Sequence, residues 1–151
     1  MVLLWFSLKV FDVGCEALSY IYGFLPLIAW VIAGSLKFAI NYFRFGNEAV
    51  GRIGNGGFPS THSTVVSSAV ALIGFKLGIG NPVFSLGVAV LTITVIDATG
   101  IRRAVGKHAG ILNQLTKESL RLRESQGHKW FEVLGGLVLG TCIALVANIL
   151  G

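Results

Sequence analysis

The sequence has few charged residues and almost no cysteine, and both shortages limit what the protein can be. Only 13% of the 151 residues are charged, whereas 54% are hydrophobic, and the mean hydropathy is +0.76. A soluble domain carries about 25% charged residues. Cys15 and Cys142 lie far apart in apolar surroundings, without the spacing of a metal or redox motif. The composition therefore predicts an integral membrane protein in which both cysteines are buried by packing.

Several other signals are missing. The first residues lack the basic segment and cleavage site of a secretory signal, and Lys9, Asp12 and Glu16 interrupt their apolar run, so we interpret them as mature protein. No repeat or linker divides residues 1–151, which predicts a single domain. The net charge of +5 is not accompanied by interleaved exposed aromatics, which argues against nucleic acid and favours a membrane surface or an anionic lipid.

Four apolar runs predict four transmembrane helices, because each is close to the ~20 residues that cross a bilayer. The runs are 24–43, 61–78, 83–101 and 130–150. Residues 1–22 form a further amphipathic helix with a narrow polar stripe, a pattern that fits either a span or an interfacial helix. The polar segment 102–129 predicts a helical insertion, with a surface helix over Lys107–Glu124. The expected fold is an all-α membrane bundle.

Small residues recur four apart on two of the predicted spans. Gly74 and Gly78 lie on the second, and Gly136 and Gly140 lie on the fourth. This spacing predicts close helix packing rather than lipid contact. Such faces could also serve a homo-oligomer.

Charge asymmetry predicts the orientation of the bundle. Segment 102–129 contains seven of the twelve Lys and Arg residues, and Arg44 and Arg52 lie in the loop that shares its side of the membrane. The loop on the other side, 78–82, contains none. The positive-inside rule therefore predicts that the basic face is cytoplasmic and that the protein lies in the plasma membrane.

A turn rich in glycine and proline precedes the second span and predicts an anion site. Ser60 has the position of an N-cap, which would leave the backbone N–H groups of the first turn, from Thr61 onward, exposed to an anion. His62 could then protonate an oxygen that leaves the anion. The alternative is a capped helix with a surface histidine.

His128 and Glu132 are four residues apart at the start of the last span. A carboxylate at this spacing can bind one imidazole nitrogen and leave the other free to attack. The alternative is that Glu132 only complements the helix dipole.

Cationic residues near the membrane surface could hold an anion between them. Lys37, inside the first span, is followed by Arg44, with Arg52 as a rival to Arg44. Their alternative role is to extend to the interface as helix anchors.

A carboxylate, Asp97, near the end of the third span is followed by Arg102 and Arg103. An ionisable residue at membrane depth suggests a functional role. The two arginines could instead anchor the helix end among lipid headgroups.

These segments resemble motifs of the type 2 phosphatidic acid phosphatase (PAP2) superfamily, and most closely its divergent branch. Lys37-x6-Arg44 is similar to K-x6-R-P, with Phe45 for proline, and Pro59-Ser60-Thr61-His62 is similar to P-S-G-H, with threonine for glycine. The third motif, S-R-x5-H-x3-D, is split: its arginine part resembles Asp97 to Arg103, and its histidine part resembles His128-x3-Glu132, with Glu for Asp. The likeness extends from about residue 24 to the end.

The resemblance implies a membrane phosphatase for lipid phosphomonoesters or pyrophosphates, such as phosphatidylglycerophosphate, phosphatidate or isoprenyl pyrophosphate. His128 would attack phosphorus, Glu132 would orient it and His62 would protonate the leaving oxygen. The phosphoryl oxygens would be held by Lys37, Arg44, Ser60 and Arg102 or Arg103. No cofactor or metal is implied.

Three alternatives remain at this point. His108 stands six residues after Arg102 and would be the nucleophile in an unsplit motif, although Leu112 replaces the carboxylate. The chain could instead be a non-catalytic membrane scaffold that binds a lipid or an anion. A zinc site from His62, His108 and His128 is a third reading.

Overall fold

The computed structural model describes residues 2–52, 56–116 and 121–150, and its account of side chains excludes residues 2–21, 48, 51 and 52. Every regular element in these ranges is helical, which confirms the predicted all-α class. Short 3₁₀ and π segments span Gly46–Arg52 and Asp97–Ile101. The α-helices are α1 (Val2–Phe45), α2 (Thr61–Leu77), α3 (Pro82–Ile96), α4 (Arg102–Leu115) and α5 (Trp130–Leu150).

Among the residues that the structure describes, three helical stretches are long and apolar enough to cross a membrane: Tyr22–Phe45, Pro82–Leu115 and Trp130–Leu150. They correspond to the first, third and fourth predicted spans. The second run forms α2, which has 17 residues and packs at the centre against α1, α3 and α5. Its buried face is rich in serine and threonine. The arrangement is a membrane bundle built around a short polar helix.

The N-terminal helix is continuous with the first span. α1 runs unbroken from Val2 to Phe45, with Pro26 inside it, so the prediction of a separate amphipathic helix is wrong in its boundary. The polar stripe of residues 9–19 lies outside the described side chains. Whether that part spans the bilayer or lies in its interface stays a prediction.

The polar insertion is helical in its first part only. α4 ends at Leu115 and residues 121–129 are non-helical, so the predicted helix over Lys107–Glu124 is wrong for residues 121–124, and its residues 117–120 lie outside the described residues. The physical reason is a competing hydrogen-bond partner: the Asn113 side chain binds the backbone N–H and C=O of Leu122. A helix through that position would need both groups for its own ladder.

α2 and α5 approach closely along the glycines of α5. A Cβ added to Gly140 would lie 2.0 Å from Ser67 Oγ, and one added to Gly136 would lie 2.5 Å from Ser60 O. The Ser67 hydroxyl donates to Thr64 O and lies 3.4 Å from Gly136 O. These glycines therefore serve contacts within the chain, as close helix packing requires.

The interior of the bundle is apolar near the C-terminal half of α2. Leu25, Leu72 and Ala144 form a buried cluster contributed by α1, α2 and α5. Cys142, on the neighbouring turn of α5, is exposed on the outer surface, so the expectation that it packs inside is wrong. An apolar exterior suits a cysteine in a membrane helix equally well, which is why composition alone did not distinguish the two. Cys15 lies outside the described side chains.

Candidate functional site

Ser60 fixes the start of α2 against the start of α5. Its side chain accepts a 3.4 Å hydrogen bond from Ser63 N–H and lies 2.9 Å from Ser63 Oγ, as an N-cap does. Its backbone N–H donates to Glu132 O at 2.9 Å. Ser60 is fully buried and links two helix N-termini. This link brings His62, two residues further on, beside His128.

His128 is held at both its backbone and its ring. Its N–H donates to Ala98 O at 2.9 Å, in the π segment. Its Nδ1 lies 3.1 Å from Glu132 Oε2, and the residue is only 6% exposed. The same carboxylate oxygen accepts from Lys129 N–H at 3.0 Å, so Glu132 also caps α5. Because the carboxylate accepts, Nδ1 carries the proton and Nε2 retains its lone pair.

His62 lies across from His128, with ring centroids 6.4 Å apart and planes tilted by 59°. Arg102 Nη1 lies 3.3 Å from His62 Nε2, and Arg102 Nε donates to Asp97 Oδ2 at 2.5 Å. The guanidinium has no acceptor, so it donates and Nε2 of His62 is unprotonated in this arrangement. Residues five apart lie one turn apart in a π-helix, so the π segment places Arg102 next to Asp97.

A cavity of about 720 Å³ joins these groups to α1. Its polar end contains His62, Arg102 and His128, and α1 contributes Lys37, whose Cε lies 3.4 Å from the position of a Cβ added to Gly57. Gly57 has φ +132°, a conformation that favours glycine. The other lining residues are Trp30, Val31, Gly34, Ser35, Phe38, Asn41, Gly56, Thr61, Arg123, Gln126 and Gly127.

The remaining predicted residues lie outside this cavity. Arg44 is exposed, two turns beyond Lys37, and Asn41 lines the cavity between them. Arg103 is exposed, with its side chain beside Gly127. His108 is exposed on α4. The side chain of Arg52 lies outside the described residues. The structure thus brings five predicted residues together around the cavity: Lys37, Thr61, His62, Arg102 and His128. Outside the cavity, Asp97 binds Arg102, Glu132 binds His128, and Ser60 links the N-termini of α2 and α5.

Sequence reasoning missed Ser35 and Asn41 of α1, and it missed two polar cavity residues of the insertion, Arg123 and Gln126. Both precede His128 in the non-helical part of the insertion. The charge of segment 102–129 was the only available signal, and it did not distinguish these residues from their neighbours. Gly56 N–H donates to Ser125 O at 3.0 Å, which holds this segment against the loop before α2.

Burial lowers the pKa of His128, and the positive charges of Lys37 and Arg102 act in the same direction, while the hydrogen bond that His128 donates to Glu132 opposes them. Partial burial lowers the pKa of His62 as well, and the positive charge of Arg102 acts in the same direction. His62 lies at the first turn of α2, outside the three candidate spans. These shifts favour the neutral form of both imidazoles.

Within the part of the chain that the structure describes, no three His, Cys, Asp or Glu side chains are grouped as a metal would require. His62 and His128 face each other, but His108 does not complete a set with them. The groups that converge instead are a neutral imidazole with a free Nε2, a second imidazole opposite, and the cations of Lys37 and Arg102. This combination can bind a tetrahedral anion and attack it.

Comparison with known proteins shows the family of the chain. A family model described as "Divergent PAP2 family" matches residues 22–143. The chain is also 28% identical over 110 residues to "Uncharacterized membrane protein YuiD" of Bacillus subtilis (strain 168), covering 60% of this chain and 70% of that protein. No solved structure matches. The match spans α2 and all the cavity residues, and the chain belongs to the divergent PAP2 family.

Proposed function

We propose that the protein is a membrane phosphatase that removes phosphate from a lipid phosphomonoester or pyrophosphate through a phosphohistidine at His128. The observation that carries this proposal is the 3.1 Å contact between His128 Nδ1 and Glu132, inside a cavity that also contains His62 and two cations. A carboxylate on Nδ1 fixes the tautomer and leaves Nε2 as the nucleophile.

The reaction has two balanced steps. His128 Nε2 forms a bond to phosphorus as the bond from phosphorus to the leaving oxygen breaks. His62, which takes up a proton from solvent when the phosphate binds, gives that proton to the leaving oxygen. Water then attacks phosphorus as the P–N bond breaks, and His62 takes the proton of the water. Lys37 and Arg102 stabilise the charge on the phosphoryl oxygens throughout, which is the main requirement of such a transfer. The mechanism uses no metal or cofactor.

The shape of the cavity supports a lipid substrate. Its polar end lies at the N-termini of α2 and α5, and its other end follows α1 past Phe38 to Val31 and Trp30, within a candidate span. A phosphate with an attached hydrocarbon chain fits this change from a polar to an apolar lining, because the hydrocarbon chain can lie along apolar residues at membrane depth. The headgroup could be a monoester or a pyrophosphate.

Phosphate release from a panel of lipids tests the proposal directly. The purified protein would be given phosphatidylglycerophosphate, phosphatidate and isoprenyl pyrophosphates, with and without a chelator. Turnover that persists with chelator supports the metal-independent mechanism. Turnover abolished by chelator and restored by zinc would overturn it, and no release from any substrate would favour the binding role below.

A second candidate is a non-catalytic membrane protein that binds lipid phosphates. The contact between Arg102 and His62 favours it, because the nitrogen that accepts from Arg102 has no proton to give. Binding of vanadate to the wild type, measured together with turnover, separates the two candidates. Tight binding without any phosphate release supports the binder, whereas release at a rate abolished by His128→Ala supports the enzyme.

The proposed site lies on the cytoplasmic side of the plasma membrane, as the basic residues of 102–129 indicate. In a background without native cysteines, Gly80→Cys and Gln114→Cys provide labels at opposite ends of α3 and α4. We expect Gly80→Cys to react with an impermeant thiol reagent on intact cells, and Gln114→Cys to react only after lysis. The reverse pattern would place the site outside.

A further inference from the structure

Residues Arg121–Lys129, here named the strap, lie across α4 before α5 begins. Near its start the strap is held by Asn113, which is 6% exposed. Asn113 Nδ2 donates to Leu122 O at 2.8 Å, and Asn113 Oδ1 accepts from Leu122 N–H at 2.7 Å. Nδ2 also donates to Glu124 Oε1 at 2.8 Å. One amide thus satisfies both backbone groups of Leu122, and the flipped amide would satisfy neither.

Two glycines on α4 let the strap lie directly on the helix. A Cβ added to Gly106 would lie 2.3 Å from Glu124 O, a backbone atom, so the strap would have to move. A Cβ added to Gly110 would meet only the Glu124 side chain, at 3.3 Å. These two glycines lie one turn apart on the same face. They differ in whether an added methyl group touches the strap backbone.

The other end of the strap carries His128. Gly127, with φ +78°, packs so closely that an added Cβ would lie 2.9 Å from Ala98 O, the atom that accepts from His128 N–H. Arg123 and Gln126 line the cavity between the two ends. The position of His128 relative to Arg102 therefore depends on how the strap is seated. Asn113 touches no part of the cavity itself.

We propose that Asn113 is a positioning residue: by fixing Leu122 and Glu124 on α4, it seats the strap and so places His128 against the phosphate held by Lys37 and Arg102. The inference rests on the proposed function for its effect on rate. Displacement of the strap moves the attacking nitrogen, whereas Lys37 and Arg102 come from other segments and keep their hold on the anion. Loss of Asn113 should thus affect kcat more than KM.

The test compares four purified variants well below their Tm. We expect Asn113→Ala and Gly106→Ala to lower kcat by about 10- to 100-fold, as a misplacement near 1 Å does, with KM changed by less than roughly threefold. Gly110→Ala and Gln114→Ala, on the same helix, should retain kcat within roughly twofold. Gly106→Ala and Gly110→Ala both replace a helical glycine with alanine, so helix propensity cannot explain a difference in kcat between them.

Hydrogen exchange provides a readout that does not depend on turnover. We expect faster exchange of the strap amides, that of Leu122 first, in Asn113→Ala and Gly106→Ala, and wild-type exchange in the two controls. Faster exchange with unchanged kcat would overturn the positioning role. A fall in kcat without faster exchange would overturn the route through the strap. If the wild type releases no phosphate, the proposed function fails, and hydrogen exchange alone then tests how the strap is seated. Faster exchange of the strap amides in Asn113→Ala and Gly106→Ala but not in the controls supports the role of Asn113, and equal exchange in all four variants overturns it.

Discussion

The two histidines of the site are held by regions of different construction. His62 belongs to the α2–α5 interface, where Gly136 and Gly140 bring two backbones into contact with buried serines. His128 ends the strap, which is attached to α4 by the side chain of Asn113 and to the π segment by one backbone hydrogen bond. One region is fixed by close packing. The other is fixed by a few hydrogen bonds across a non-helical segment.

The difference separates stability from rate. Close-packed helices resist displacement because any shift creates overlap, so the α2–α5 interface should dominate the free energy of unfolding. Each hydrogen bond of the strap contributes only about 1 kcal/mol net. Loss of such a bond should leave the bundle folded but move His128, the proposed nucleophile. Variants of the α2–α5 interface should therefore change the free energy of unfolding, and variants of the strap should change the rate.

The largest expected effect is that of His128→Ala, which should abolish turnover because no other group supplies the nucleophile. His62→Ala should lower the rate by about 10² to 10⁴-fold on alkyl phosphates, and much less on an aryl phosphate whose leaving oxygen needs no proton. The measurement is kcat/KM on a pair of substrates that differ in leaving-group pKa.

His108→Ala is the matched control, since His108 is an exposed histidine of α4, and it should behave as wild type. A phosphate-labelled substrate should give rapid acid-labile labelling of the wild type and of His108→Ala, but not of His128→Ala. Labelling retained in His128→Ala and lost in His108→Ala would assign the nucleophile to the unsplit motif.

A smaller effect is expected from Gly140→Ala, because the new methyl group would overlap Ser67 Oγ and Thr64 O. Overpacking of this kind costs about 1–3 kcal/mol of stability. Gly23→Ala is the control, since nothing lies within 4 Å of an added Cβ there. Thermal unfolding in detergent should show a lower Tm for Gly140→Ala alone. Equal Tm values would show that the α2–α5 contact is looser than the packing indicates.

The smallest effect concerns pH. On the proposed mechanism His128 must be neutral to attack, so activity should rise with pH through its pKa, which burial lowers below the usual 6.5. Glu132 raises this pKa, so Glu132→Gln should move the acidic limb of the profile to lower pH while reducing the maximum. Lys37 lowers it, so Lys37→Met should move the limb to higher pH. Shifts in the same direction would contradict His128 as the titrating group.

The helices and half of the site followed from local patterns in the sequence. Apolar runs located α2, α3 and α5 within a few residues, because length and polarity alone determine which segments can lie in a bilayer. The spacing of His128 and Glu132 predicted their contact, since residues four apart on a helix are neighbours. The N-cap role of Ser60 followed from its position after a proline turn.

The rest depended on contacts between distant segments. The π segment that pairs Asp97 with Arg102 shifts the helix by one residue, and no pattern in Asp97–Ile101 distinguishes it from an ordinary helix. The end of α4 depends on Asn113 reaching Leu122, nine positions away. Arg123 and Gln126 enter the cavity only because the strap is seated there. Such features become visible once the chain has folded back on itself.

The position of Arg102 couples ligand binding to proton uptake. In the structure its guanidinium donates to His62 Nε2 and keeps that nitrogen unprotonated. A bound phosphate would attract the guanidinium away from His62, and its negative charge near Nε2 would then favour a proton on that nitrogen. On the proposed mechanism, the substrate thus recruits from solvent the proton that its own leaving group will require. Anion affinity would then strengthen as pH falls toward neutrality, and the heat of binding would vary with the ionisation enthalpy of the buffer.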